Sequence, residues 1–385
     1  MIRSSYSKYL AKMGMIRLLS FLVFLLAVVA LEPLAARAQS GRVQPTPTPQ
    51  KEDSVKVVTE EIKVNVLAFD EEGKFVDNVK REDLVITENN ILHQPSSVRR
   101  LPANVLIVMD TGGELRWMKN LDKTRAVANG LVSALKPQDS IALIQYSDKA
   151  EIVANWTSKK DDLRSAIGKT KFGQRSSFIK ALNLAKDMLV ASPRENKHLI
   201  LITDGTDSSG SSSAKQTAMR GLLASDITVH VMSYTQMETS DIEPRTKAIS
   251  NSPPRKALPD EVAAGLPNGA RDIATAPKIG PTINLDRKLL KTMRARKADL
   301  EISEEQLTEL ADNTNGEMVN PLTYEEMLEK TGLVASRIDS SYVVTYSPKI
   351  PLEESREERN IIVTSKRPGL VVDARRKLVV SDFRR

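Results

Sequence analysis

Two carboxylates that close apolar runs are the residues of this chain best suited to chemistry. Asp110 ends Val105-Leu106-Ile107-Val108-Met109, and Asp204 ends His198-Leu199-Ile200-Leu201-Ile202-Thr203. Glycine and threonine follow both, and serines follow Asp204. Neither run alternates, which marks strands covered on both faces of a parallel sheet. Ligands collect at the carboxyl ends of such strands, so the first chemistry to expect is binding on loops at one end of a doubly wound sheet. A second chemistry to weigh is hydrolysis, in which a carboxylate such as Asp110 of Asp110-Thr111-Gly112 activates a water. That reaction needs two carboxylates sharing a proton, and the chain has no second Asp-Thr-Gly. Histidine catalysis fits poorly. His93 falls in a β unit, and His198 and His230 flank core strands, where a satisfied imidazole is the ordinary case.

The elements that must position the carboxylates follow from periodicity. From Ala103 the chain alternates apolar runs with helical periods. Strands are predicted at 103–110, 140–147, 197–203 and 227–234, with edge pieces at 150–154 and 316–319. Helices are predicted at 115–135, 160–168, 177–190, 212–224, 303–313 and 322–336. This rhythm specifies a three-layer α/β sandwich with a mostly parallel sheet. Before it, residues 55–101 read as a small β unit, with strand patterns at 57–69 and 84–87 and a turn at Asp70-Glu71-Glu72-Gly73. Residues 338–385 return to strand character and are expected to pack with 55–101, making a small β-sandwich that flanks the domain at 102–337. Within that domain residues 236–300 break the rhythm, being rich in Pro, Ala and cations, and read as a flexible insertion with a basic helix near 286–297.

Composition bounds the function. At 385 residues, two or more domains are the prior. Cations at Arg3, Lys8, Lys12 and Arg17, an apolar run over 18–31 and Ala36-Arg37-Ala38 form the pattern of a signal peptide over 1–38. The alternative is an uncleaved membrane anchor. Either way the chain is expected to be exported: periplasmic, in the cell envelope or secreted. Residues 39–54, with alternating Pro and Thr at 45–49, read as an extended linker. Five of the cations and one Glu lie in 1–38, so the formal charge of +7 falls by four to +3 beyond it, and no nucleic-acid face is expected. The absence of cysteine excludes disulfides and thiolate metal sites.

Taken in order, Val105 to Asp110, Asp139-Ser140-Ile141-Ala142-Leu143-Ile144-Gln145-Tyr146, Ser176-Ser177-Phe178-Ile179-Lys180-Ala181-Leu182 and Leu199 to Gly205 resemble the von Willebrand factor A domain. The flanks Asn65-Val66-Leu67-Ala68-Phe69-Asp70, Lys80-Arg81-Glu82-Asp83-Leu84 and Arg367-Pro368-Gly369-Leu370 resemble the bacterial exported proteins related to it. The resemblance implies a Rossmann-like fold that binds protein partners or mediates adhesion without catalysis. It also implies a metal-ion-dependent adhesion site, in which Asp-x-Ser-x-Ser, a Thr and a later Asp hold Mg²⁺ and a partner's acidic group completes the coordination. By that resemblance Asp110, Glu114, Ser176 and Asp204 stand at metal positions, and Asp110, Gly112, Ser176, Asp204 and Thr206 form the partner-facing rim. The chain departs from the pattern: Gly112 and Glu114 replace the two serines, and Ser176 replaces the Thr. Two readings stay open, a site that binds Mg²⁺ and a metal-free relic. In the second, Asp110 and Asp204 would repel each other unless one titrates abnormally or a Lys or Arg screens them.

Three functional classes follow: an interaction or adhesion module; an envelope scaffold whose A domain is metal-free; and, by the resemblance of Asp110-Thr111-Gly112 to aspartic proteases, a hydrolase using Asp110. The serine cluster at 208–213 reads as a cap and soluble loop. The cations Lys288, Lys291, Arg294, Arg296 and Lys297 read as a solvated face, or as a surface that docks on anionic lipid or an acidic partner. Membrane contact is therefore expected through this insertion or through an uncleaved signal.

Overall fold

A computed structural model describes residues 60–113, 120–251, 267, 281–351 and 358–379. The expected signal peptide, the linker and Glu114 lie outside these residues. Four short strands come first: β1 (Ile62–Phe69), β2 (Leu84–Glu88), β3 (Ile91–His93) and β4 (Ser97–Arg99). The α/β region follows with β5 (Asn104–Asp110), α1 (Leu121–Ala134), β6 (Ser140–Tyr146), β7 (Ala150–Thr157), α2 (Lys160–Gly168), α3 (Phe178–Ala191), β8 (Lys197–Thr203), α4 (Ser212–Leu223), β9 (Thr228–Ser233) and α5 (Thr235–Ile242). A two-stranded ribbon of β10 (Ile249–Ser250) and β11 (Thr282–Ile283) leads to α6 (Arg287–Thr314), β12 (Met318–Val319), α7 (Tyr324–Glu329) and α8 (Thr331–Asp339). The chain closes with β13 (Ser341–Tyr346), β14 (Glu358–Ser365), β15 (Val371–Ala374) and β16 (Lys377–Val379).

The central sheet has the order β12-β9-β8-β5-β6-β7 and is parallel except for β7, which runs antiparallel to β6. Its strands lack alternation because both faces are covered. Val105, Ile107 and Met109 of β5 enter one core with Val127, Leu131 and Ile338, while Leu106 and Val108 enter the other with Phe178, Leu182 and Leu307. Each such side chain, once fully buried, contributes about 1.5–3 kcal/mol. β5 lies between β6 and β8, so the strand order reverses there, and the carboxyl ends of β5 and β8 form the crevice of the fold.

The flanking strands form two four-stranded antiparallel sheets, β15-β1-β13-β4 and β16-β14-β2-β3. Val64 pairs with Val344 and Ile86 with Val363, so strands from before and after the α/β region share one core. Within it the Arg359 guanidinium bridges to Glu88 at 2.7 Å, and the His93 ring lies 3.3 Å from the same carboxylate.

The segment 236–300 departs from its sequence reading. Of its described parts, α5 and the first half of α6 are regular helix. The basic helix near 286–297 and the helix at 303–313 are one 28-residue element, α6, capped by the Asp286 carboxylate at its start and by left-handed Asn315 at its end. Few large apolar residues sufficed: Met293 and Leu300 pack with Ile242, and Leu307, Leu310 and Ala311 reach the sheet.

Candidate functional site

The parallel register sets Met109 beside Ile202 and Asp110 beside Tyr146, so Asp110 and Asp204 leave adjacent strands at the same edge of the sheet. Both are buried, at 1% and 0% exposure. Tyr146 lies with them. Its hydroxyl is 2.5 Å from Thr203 Oγ1, and burial, with the charges of Asp110 and Asp204 adding to it, drives its ionisation well above the usual phenol range.

Local turns fix the carboxylates. Asp110 Oδ1 accepts from the Gly112 amide at 3.0 Å. Asp204 Oδ1 accepts from the amide and the hydroxyl of Thr206, both at 2.8 Å. Gly205, at φ +69°, makes the turn between them, and a Cβ there would meet Leu307 at 2.8 Å. Gly112 answers a different demand. A Cβ on it would stand 2.0 Å from the Arg175 carbonyl oxygen and 2.8 Å from Ser147 Cα. Three loops close on this point, and the Gly173 amide donates to the Thr111 carbonyl at 3.1 Å. Glycine at 112 is thus required by close backbone approach. Ser176 is also committed: its hydroxyl donates to the Thr206 carbonyl at 2.8 Å, and its amide donates to Ser208 Oγ at 2.8 Å.

The remaining oxygen of Asp204 meets a cation from the chain itself. Arg296, on α6, donates from Nη2 to Asp204 Oδ2 at 2.8 Å and to Glu238 Oε2 at 2.6 Å, and from Nη1 to Thr206 Oγ1 at 2.8 Å. Glu238, on α5, is 5% exposed. Burial works against the charged guanidinium, but the two carboxylates outweigh it and raise the arginine above its ordinary range. Beside this clamp Lys215 donates to Ser303 Oγ at 2.9 Å. Its burial lowers it to about 8, against the pull of Asp204, Asp207 and Asp299. Between the 206–212 loop, the start of α4 and α6 lies a cleft of about 480 Å³, lined among others by Thr206, Lys215, Arg296, Asp299 and Ile302.

The described members of this donor set, Asp110, Ser176 and Asp204, are not arranged to hold a divalent ion. Asp204 is bonded through both oxygens, Ser176 points its proton at a carbonyl, and position 112 admits no side chain. The guanidinium already holds the countercharge that an ion would bring. Among the described residues no group of three or more His, Asp and Glu is placed to hold a metal.

Of the rim residues expected to meet a partner, the structure gathers Asp110, Gly112, Ser176, Asp204 and Thr206 at one edge. Asp110, Ser176 and Asp204 are at most 3% exposed, however, and Gly112 is buried with them; Ser176 and Thr206 border the cleft, and of the five only Thr206 is more than marginally exposed. Sequence reading missed Arg296 as a site residue, along with Glu238. One signal was present: Arg296, Leu300, Ser303 and Leu307 recur at helical spacing, placing the arginine on the inward face of α6.

The hydrolytic reading needs a carboxylate pair that shares a proton, and here Asp204 Oδ2 is paired with Arg296 at 2.8 Å. The histidines are structural. The Glu317 amide donates to His230 Nδ1 at 3.1 Å, which assigns the next proton to His230 Nε2, facing His198 Nδ1 at 3.1 Å, and the last to His198 Nε2, facing Asn196 Oδ1 at 2.9 Å. Both rings are neutral, since burial lowers His198 to about 3 and His230 well below its usual value. Ser211 caps α4, accepting from the Ala214 amide at 3.2 Å.

Comparison with known proteins places one domain of the chain in a family. The model of the von Willebrand factor type A domain matches residues 104–258, from the first residue of β5 to beyond β10. An uncharacterized protein of Synechocystis sp. is 26% identical over 150 residues, which are 37% of this chain and 35% of that protein, so the match spans about a third of the relative. Among solved structures, a von Willebrand factor type A protein from Catenulispora acidiphila is 11% identical over 85% of this chain and 76% of its own, with a TM-score of 0.41. An aerotolerance-related membrane protein from Bacteroides fragilis is 15% identical over 61% of this chain and 99% of its own, with a TM-score of 0.36. Helix α6, which carries Arg296, begins beyond the matched residues. Residues 104–258 thus match the von Willebrand factor type A domain, and they carry five of the six strands of a mostly parallel sheet that lies between two helical layers.

Proposed function

We propose that this domain is a protein-interaction module whose rim carries a fixed cation, Arg296, in the role that Mg²⁺ takes in the family's adhesion site. One observation carries the reading: the guanidinium bridges two buried carboxylates, Asp204 and Glu238, at 2.8 and 2.6 Å. A metal recruits a partner's acid through an open coordination position. The guanidinium spends both Nη2 protons and one Nη1 proton on two carboxylates and a hydroxyl and its Nε is buried, so most of the grip on a partner comes from the cleft walls. Ile302, 53% exposed, and Asp299 are among the exposed side chains there, with Ser208, Ser211, Ser212 and Thr292. The signal-peptide pattern supports work outside the cytoplasm, where such a module would hold a partner at the envelope.

The test is capture of envelope proteins by the full chain, with and without a chelator. Capture should persist in EDTA and fall at least tenfold in Ile302→Asp. Capture that vanishes in EDTA and returns with Mg²⁺ would refute the fixed-cation reading. A second reading, an envelope scaffold with a structural A domain, is favoured by the burial of Asp110, Ser176 and Asp204. Capture indifferent to Ile302→Asp and Asp299→Arg would select it.

A further inference from the structure

We infer that the β10–β11 ribbon and the first turns of α6 form a docking surface for an anionic phospholipid bilayer. The inference is independent of what the cleft binds. Ile249 and Ile283 are direct partners in the antiparallel ribbon, so their side chains stand on one face. They are 67% and 61% exposed. Leu285, two residues on, is 88% exposed, and Leu289 in the first turn of α6 is 39% exposed. Single exposed apolar residues need no explanation, but four of them lie within one ribbon, the link that follows it and the first turn of α6.

Cations border this patch. Arg287, Lys288 and Lys291 are exposed, and among the described residues none of them forms an ion pair. Lys247 adds a fourth and pairs with Glu243. The carboxylate nearest in sequence, Asp286, is committed to the helix, accepting from the Lys288 and Leu289 amides at 2.8 and 3.1 Å. Charge and apolarity together select the partner. An acidic protein surface would satisfy the cations and leave the leucine and isoleucines in water. A bilayer with anionic headgroups satisfies both, with phosphates at the level of the Lys and Arg heads and acyl chains beneath.

The rest of the basic stretch serves other ends, which makes the surface separable. Arg294 Nε donates to the Thr246 carbonyl at 2.8 Å, Arg296 holds the rim, and Lys297 pairs with Glu243 and Glu301.

The experiment is co-sedimentation of the full chain with vesicles of phosphatidylglycerol and phosphatidylcholine in equal parts, against pure phosphatidylcholine. Binding should favour the anionic vesicles and weaken as salt rises. Each cation is worth about fivefold in partitioning, so Lys288→Gln with Lys291→Gln should lose roughly twenty-fivefold. Leu285→Asp should also weaken binding, while the thermal midpoint of both variants stays at that of the wild type. Equal binding to neutral vesicles would assign membrane contact to the apolar N-terminal run and overturn the inference. So would anionic-vesicle binding that neither variant reduces.

Discussion

Replacing Arg296 by alanine takes the cation away from two carboxylates that solvent barely reaches. Asp204 is 0% and Glu238 5% exposed, and the arginine itself is only 20% exposed through its side chain. Removing one partner of a buried ion pair costs about 3–5 kcal/mol, because the charges left behind keep their desolvation penalty. For a domain of this size each kcal/mol lowers the thermal midpoint by about 2–4 °C, so Arg296→Ala should melt roughly 6–20 °C lower. Urea denaturation gives the free energy directly. Arg296→Lys should fall between, since one ammonium keeps the charge but cannot span Asp204, Glu238 and Thr206 as the guanidinium does. A loss under about 1 kcal/mol in Arg296→Ala would refute the role given to the clamp.

Two further readings of the same variant separate countercharge from packing. With no cation beside them, the buried carboxylates of Arg296→Ala bind protons more readily in the folded than in the unfolded chain, so the variant loses stability as pH rises. Its deficit should be smaller at pH 5 than at pH 8. Millimolar Mn²⁺ should also stabilise the variant, by up to about 2.7 kcal/mol where the ion exceeds its dissociation constant a hundredfold, and leave the wild type unchanged. Equal stabilisation of both proteins would show that a metal site coexists with Arg296.

Two other changes test the surroundings. Gly112→Ser restores the residue type of the family's metal motif, yet it should destabilise by about 1–3 kcal/mol and bring no Mg²⁺ binding, because its Cβ meets the Arg175 carbonyl at 2.0 Å; a stable variant with a calorimetric Mg²⁺ signal would contradict this. The His198–His230 pair should impose an acid limit. Both rings are depressed below the unfolded value near 6.5, so their contribution is intact above that pH and is lost as pH falls toward the folded value of about 3 for His198. The cost from pH 7 to 5 is about 2 kcal/mol per imidazole. Urea titrations at the two pH values should show this drop in the wild type and not in a variant with glutamine at both positions.

The sheet was legible because its strands obey the simplest rule in the chain. Val105 to Met109 and Leu199 to Ile202 are apolar at every position, and the observed strands begin and end within two residues of where those runs do. The carboxylates at their ends were legible for the same reason, since β5 and β8 could hardly end elsewhere. What escaped was everything contributed by long-range approach. Gly112 looks like a lost ligand in the sequence, whereas in three dimensions it is the one residue that lets the 112, 147 and 175 backbones meet. The segment around α6 looks flexible because composition was averaged over a window that mixes two faces. Its outward residues are charged, and the inward ones, Met293, Leu300, Ser303 and Leu307, are too few to raise the mean.

Helical phase then explains how one basic stretch serves two ends. An α-helix advances about 100° and 1.5 Å per residue, so Lys291 lies about 140° around the helix from Arg296 and Lys288 more than two turns along it, and the same run of cations can meet both solvent and a buried carboxylate. Neutralising Lys288 and Lys291 should therefore leave the unfolding free energy within about 0.5 kcal/mol of wild type, as for surface changes in general. Arg296→Ala should do the reverse, lowering stability while the ribbon cations remain. If Arg296→Ala also abolished vesicle binding at a temperature where the protein stays folded, the clamp would be holding the membrane surface in register, and the two functions of α6 would be coupled through the helix rather than merely carried on it.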